Sequence, residues 1–384
     1  MATLACGQTS ARPPSSPVAQ VSSPSAEAAA TSTSPSPSPS PSPAVSTKPP
    51  TLLFAALEAK GNTAYQWNTV AIAGLDGYAR AKTTFNPMPL PYVGCAGALI
   101  PISAEVAAGK VFFSDAQGVV RSLSVTGQLK QVATFPMTST QQMLSFAVSP
   151  DGSRLMAAVF TIPPKPASGD PCGAPSATFA PGSFTLDVYS APAGGSSQLL
   201  YHQVLATSAT QPFNVMAFIG WDRVGPVGTY PTEWATQGGG PHHYSGIPVR
   251  IDASTGKVLK PVASSDCLVW DMAASADFLC IASGGPSVRR PDGSQIWGVS
   301  NASFFLAYLS PDEQRIAGFG SSADVFGRDG SDIKLPSFAL GGWLDSATMI
   351  GGGFNGNLDY VSTSSPGTVV DIGFKGLFIA TVQH

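Results

Sequence analysis

The chain has 384 residues and a formal net charge of -3, and only 11% of its residues are charged. That balance leaves no basic stripe or net positive field for nucleic acid. No run in the chain is long and apolar enough to cross a bilayer as a helix.

The first 50 residues differ from the rest. They hold the tract TSTSPSPSPSPSPAVSTKPP at 31–50, and Arg12, Glu27 and Lys48 are their only charged side chains. Such a segment buries too little apolar surface to offset the entropy of ordering, so it is expected to be a disordered tail. Alternating Pro and Ser favour an extended spacer. Ahead of the tract, Thr3-Leu4-Ala5 precedes Cys6. This resembles the end of a bacterial lipoprotein signal, in which small or apolar residues precede a cysteine that becomes lipidated. The resemblance implies Cys6 as the anchor, an extracytoplasmic location and membrane contact through the lipid alone. Thr3 stands where that class has Leu. The charged and long apolar segments of such signals do not precede Cys6, so the reading implies a misassigned start codon or a truncated chain.

From residue 51 onward, short apolar runs alternate with turn residues. Lys110–Phe135 reads as three strands joined at Gln117-Gly118 and Thr126-Gly127. MLSFAVSPDGSRLMAAVFTI follows, with a tight turn at Asp151-Gly152. FTLDVYSAP and SQLLYHQV are its partners. Later come PVRIDASTGKVLKPV, CLVWDMAASADFLCIASG, FFLAYLSPDEQRIAGFG, ADVFGRDGSDIKLP and GGWLDSATMIGGG. Two turn classes therefore alternate. One carries Asp151, Asp222, Asp277, Asp312 or Asp345, and the other carries Thr-Gly or Asp-Gly. The closest of these marks leave no room for crossover helices, so four-stranded antiparallel meanders are the natural unit.

The phrases SPDGSRLMAAV, SPDEQRIAGF and WLDSATMIGG resemble the blade phrases of bacterial WD40-like and TolB-like β-propellers. The resemblance implies an all-β fold: a single propeller over 51–384 behind a linker at 1–50. At about 45 residues per blade, the roughly 330 residues suggest seven blades, with six as the alternative. It further places Leu155–Val159, Phe278–Ala282, Arg315–Gly318 and Thr348–Gly351 in innermost strands. The eukaryotic Gly-His and Trp-Asp signature is not kept.

Cys95, Cys172, Cys267 and Cys280 form an even set compatible with disulfides in an exported chain. Cys267 and Cys280, close in sequence, are the expected local staple. Cys95 and Cys172 stand in Gly/Pro-rich loops that a second bridge would join.

Candidate chemistry is sparse. The segment Gly225–Gly246 gathers Tyr230, Glu233, Trp234, His242, His243 and Tyr244, three aromatics and three polar side chains of the kind that grips a ligand. Adjacent His242 and His243 supply too few donors for a metal, and no cofactor motif is present. Trp221-Asp222, Trp270-Asp271 and the looser Trp343/Asp345 read as blade architecture: Asp caps a turn while Trp fills the space between sheets. No nucleophile elbow is found. The expected function is a monomeric cell-envelope propeller that binds a protein, peptide or glycan. The alternatives are an extracellular hydrolase or lyase acting on a sugar or lactone, and a purely structural surface domain.

Overall fold

Among the described residues, the alternating runs fold, in the computed structural model, into 28 strands arranged as seven four-stranded antiparallel sheets. The structure describes residues 52–59, 66–88, 102–161, 182–207, 214–233, 248–264, 267–300, 302–304, 306–319, 323–336, 338–352 and 356–382. No helix occurs among them, so none is long and apolar enough to cross a membrane. The expected tail and Cys6 lie outside the described residues, as do Cys95 and Cys172. Residues Pro49–His384 form one compact unit.

The sheets are the blades of a seven-bladed propeller. In chain order, the first strands of blades one to six are Ala104–Ala107, Gln142–Val148, Asn214–Trp221, Leu268–Met272, Leu306–Leu309 and Leu340–Trp343. Each is followed by the three further strands of its blade. Blade seven is composite. Its innermost strand is Leu377–Val382, from the end of the chain, and its outer three are Leu53–Ala59, Trp67–Gly74 and Ala79–Thr84. Leu53 pairs with Val382 and Leu57 with Leu377. The ring is thus closed by backbone hydrogen bonds between the two ends of the folded unit, which removes the open edges of an array.

Strand alternation explains why each blade needs both neighbours. In the strand Arg154–Thr161 of blade two, Leu155, Ala157 and Val159 pack toward blade one, while Met156, Ala158 and Phe160 pack toward blade three. Seven apolar clusters result, one at each seam of the ring. Such a strand is apolar on both faces and reads as a continuous hydrophobic run.

This corrects one expectation. Leu155–Val159, Phe278–Ala282, Arg315–Gly318 and Thr348–Gly351 belong to the second strand of their blades, not the innermost. The repeated phrase is the turn between first and second strands. In two copies its chemistry is the same. Ser149 Oγ donates to Asp151 Oδ1 (2.6 Å) and accepts from Arg154 N (2.9 Å). Ser310 Oγ donates to Asp312 Oδ1 (2.7 Å) and accepts from Arg315 N (2.9 Å). Ser149 Oγ, together with Ser153 N (3.0 Å) and Ser153 Oγ (2.7 Å), holds the exposed Asp151 carboxyl down at about 2. The fourth turn residue needs a positive φ, which Gly152 (70°) meets without strain and Glu313 (60°) and Ala276 (73°) adopt despite their side chains. In the shorter copy at 273–277, Ser275 rather than Asp277 takes the part of Asp151: its Oγ accepts from Asp277 N (3.1 Å).

Cys267 and Cys280 form the expected disulfide, with Cα atoms 5.3 Å apart. It joins the lead-in of the first strand of blade four to the second strand. Cys280 is fully buried in the cluster shared with blade three. The closed loop is short, and a bridge of this span stabilises by about 3 kcal/mol. Replacing Cys267 with Ser is therefore expected to lower the free energy of unfolding in denaturant by about that amount. Equal unfolding midpoints with and without the cysteine pair would contradict this.

Candidate functional site

All seven innermost strands face one central cavity of about 620 Å³. Its lining includes seven aromatic residues: Phe146, Phe218, Trp221, Trp270, Tyr308, Trp343 and Phe378 come from blades two to seven. Asp222, Ala273, Ala274, Ser310 and Pro311 also line it, so the cavity opens among the turns that join first and second strands. Gly342, with φ 153°, makes room for this wall: a Cβ there would stand 2.7 Å from the Phe378 ring.

Two carboxyls sit on the strands themselves. Glu105 of blade one accepts the Val148 N–H of blade two through Oε2 (2.8 Å). Asp271 of blade four accepts the Leu309 N–H of blade five through Oδ2 (2.8 Å), and its own Met272 N–H through Oδ1 (2.8 Å). Val148 and Leu309 occupy equivalent places, each the last residue before Ser-Pro-Asp. The two acids are thus matched clasps between neighbouring innermost strands. Burial pushes the Glu105 carboxyl up to about 8, against the pull of the Val148 N–H. It likewise pushes Asp271 up to about 6. Burial, and then the nearby Asp271 charge, raise the Tyr308 phenol.

Other seams are tied by different groups. Ser145 Oγ accepts from Phe218 N (2.8 Å) between blades two and three. Arg223 N donates to Ala274 O (3.2 Å) between three and four. Trp343 Nε1 donates to Tyr308 O (3.2 Å) between six and five. Thr381 Oγ1 donates to Leu344 O (2.7 Å) between seven and six. The seam between blades seven and one is built on Leu377, Val111 and Phe113, and Ala116 N donates to Asn86 O (3.0 Å) at its outer part.

One of the three Trp/Asp pairs differs from the other two. Asp222 and Asp345 cap turns as expected: Asp222 accepts from Val224 N (2.8 Å), and Asp345 from Ala347 N (2.8 Å) and Thr348 N (2.7 Å). Asp222 also meets Arg250 Nη1 at 2.6 Å in a buried ion pair. Asp271, by contrast, is a strand residue at the cavity. Glu105 was not among the expected residues. An acid in ISAEVAAG carries no local mark, because its partner belongs to the next blade.

Of the segment-borne candidates, Tyr230 and Glu233 lie on the strand Pro226–Glu233. Glu233 pairs with Asn214 at the start of the innermost strand, whereas Trp221 and Pro226 pair at the cavity end. That strand therefore carries the chain away from the cavity mouth. Trp234, His242, His243 and Tyr244 lie outside the described residues. Among the described residues, no group of three or more His, Cys, Asp or Glu is placed to hold a metal ion.

No protein-family model matches the chain, and no curated protein matches it. Among solved structures it is similar to an oligogalacturonate lyase from Vibrio parahaemolyticus, with 9% identity over 79% of this chain and 88% of that one and a TM-score of 0.44. It is also similar to a putative TolB from Agrobacterium tumefaciens, with 12% identity over 78% and 87% and a TM-score of 0.33. A third is the Dos1 propeller, with 12% identity over 88% and 85% and a TM-score of 0.40.

The raised carboxyls have a consequence for stability. Each binds a proton more tightly folded than unfolded, so its contribution is full below the unfolded value and is lost as pH rises through the folded one. For Glu105 that window runs from 4.5 to about 8. Glu105→Gln keeps a carbonyl acceptor for Val148 N–H and removes the titration. Its stability relative to the natural protein is expected to improve steadily from pH 5 to pH 8 in denaturant titrations. A constant difference across that range would show that the Glu105 carboxyl is not raised in the folded protein.

Proposed function

We propose that this chain is a binding or scaffold protein of the cell envelope, and that its propeller takes part of a protein, peptide or glycan partner into the central cavity. One observation carries the reading. Seven aromatic residues line an accessible cavity whose polar groups, among them Glu105, Asp222, Asp271, Tyr308 and Ser310, are set in an otherwise apolar wall. Concave, mostly apolar sites with a small number of fixed polar groups are the usual form of a ligand pocket. Aromatic walls give large contact area at little entropic cost.

The acids at the cavity support binding more readily than turnover. Asp271 has both oxygens engaged by backbone N–H groups, and Asp222 is held by Arg250. Acid and base catalysis calls for a group in reach of the reacting atom, matched by a nucleophile or a water site. These carboxyls instead join strand to strand and strand to turn.

The envelope location rests on the sequence: a lipoprotein-like Cys6 followed by a Pro/Ser-rich spacer. Mass spectrometry of the membrane fraction is expected to find Cys6 acylated, and recovery of the natural protein wholly soluble with an unmodified Cys6 would remove the anchor.

Arrays of envelope peptides and glycans probed with the full chain test the binding reading. Trp270→Ala is expected to weaken a captured ligand by about 2 kcal/mol or more, measured at a temperature where the variant, which also loses packing against blade five, is still folded. Unchanged affinity in a folded Trp270→Ala protein would move the site away from the cavity.

A further inference from the structure

We propose that this protein forms a two-fold dimer, in which the outer edge of blade two, the strand Gln198–Thr207, pairs antiparallel with the same strand of a second copy. The inference is independent of the cavity reading and departs from the monomer expected from the sequence.

The first ground is a contrast among the seven outer edges. Ring closure joins blade to blade but leaves the outermost strand of each sheet hydrogen-bonded on one side only. Such an edge offers a row of backbone N–H and C=O groups to any other strand, and proteins guard it by shortness, by charge or by Pro. Five of the edges carry a cation: Lys130 in blade one, Lys260 in blade three, Lys334 in blade five, Lys375 in blade six, and Arg80 with Lys82 in blade seven. The edge of blade four, Gln295–Gly298, spans only four residues. Gln198–Thr207 has none of these guards. It is ten residues long, and QLLYHQVLAT contains no Asp, Glu, Lys, Arg or Pro. Its inner partner is Gly182–Pro192, and among the described residues no other strand pairs with it.

The second ground is what this edge presents. The register shifts between Val188 and Tyr189, so Leu199, His202 and Val204 stand opposite Tyr189, Asp187 and Thr185 and share one face of the sheet. Leu199 is 49% and Val204 54% exposed. His202 is the one side chain of the strand that can gain charge near neutral pH, and its Nδ1 meets Asp187 Oδ1 of the same blade at 2.5 Å. Leu200 and Tyr201 pack against the core shared with blade three. The strand is therefore firmly seated on its inner side while its outer row meets no repelling charge.

The third ground selects the occupant. A strand added here must be extended over a similar length and must bring no unpaired charge beside Leu199 and Val204. Among the outer edges of this chain, Gln198–Thr207 itself meets both terms, and five of the others would bring Lys or Arg. Pairing about a two-fold axis uses the same patch on both copies, so the contact closes as a dimer instead of growing into a filament. Full overlap of the two strands adds about ten backbone hydrogen bonds.

The test is sedimentation of the full chain from micromolar to near-millimolar concentration. A monomer–dimer equilibrium is expected, and Val204→Lys is expected to weaken it about tenfold or more. Val370→Lys, at an exposed position on the edge of blade six, is expected to leave it unchanged. Hydrogen exchange of the unaltered protein decides the matter if Val204→Lys fails to fold: protection of 198–207 should rise with protein concentration. A monomer at every concentration would overturn the proposal. So would a dimer that Val204→Lys and Leu199→Lys both leave intact, a dimer weakened equally by Val370→Lys, or protection of 198–207 that does not change with concentration.

Discussion

Every blade of this protein is apolar on both faces, and that single constraint governs the rest. A sheet such as blade two, with Leu155 turned one way and Met156 the other, has no stable solution as an isolated unit or as the end of a row. It must be flanked twice. Seven units satisfy the demand only by closing, and closure requires that the last strand of the chain lie inside the first three. The pairing of Leu53 with Val382 is therefore a condition for the burial of all seven seams, including those far from it in sequence.

Closure also creates the site. Seven innermost strands brought side by side leave a hole on the axis, and what fills its mouth is decided by strands that are neighbours only in the ring. Glu105 and Asp271 hold the next blade's terminal amide, and Trp343 holds a carbonyl of the blade before it. Their aromatic and carboxyl faces are then presented to the cavity at fixed positions. Tying the wall together from inside gives a rigid pocket, which limits the entropy lost when a ligand enters.

The sequence made much of this legible, and the parts it hid share a cause. Local signals were sound. Asp151-Gly152, Thr255-Gly256 and Asp329-Gly330 all mark turns, and Cys267 met Cys280. The repeat was assigned one strand too far inward, because the recognisable apolar run follows the turn and that run is the doubly buried second strand. The innermost strands have no such signature, since their composition answers to the cavity: Leu340-Gly341-Gly342-Trp343 is half glycine. Asp277 looked equivalent to Asp151, yet the copy at 273–277 is one residue shorter and Ser275 took the role. Trp270-Asp271 mimicked Trp221-Asp222 in letters and differed in place. Apart from that local turn, these depend on contacts between blades, to which a linear pattern is blind.

The account's central claim is that the partner enters the cavity, and hydrogen exchange read by mass spectrometry on the full chain with and without a captured ligand tests it most directly. Protection should concentrate in the segments 268–274, 306–311 and 340–344, which belong to different blades and all line the cavity. Protection confined to Gly225–Gly246, with those three segments unchanged, would contradict the claim and place the ligand elsewhere.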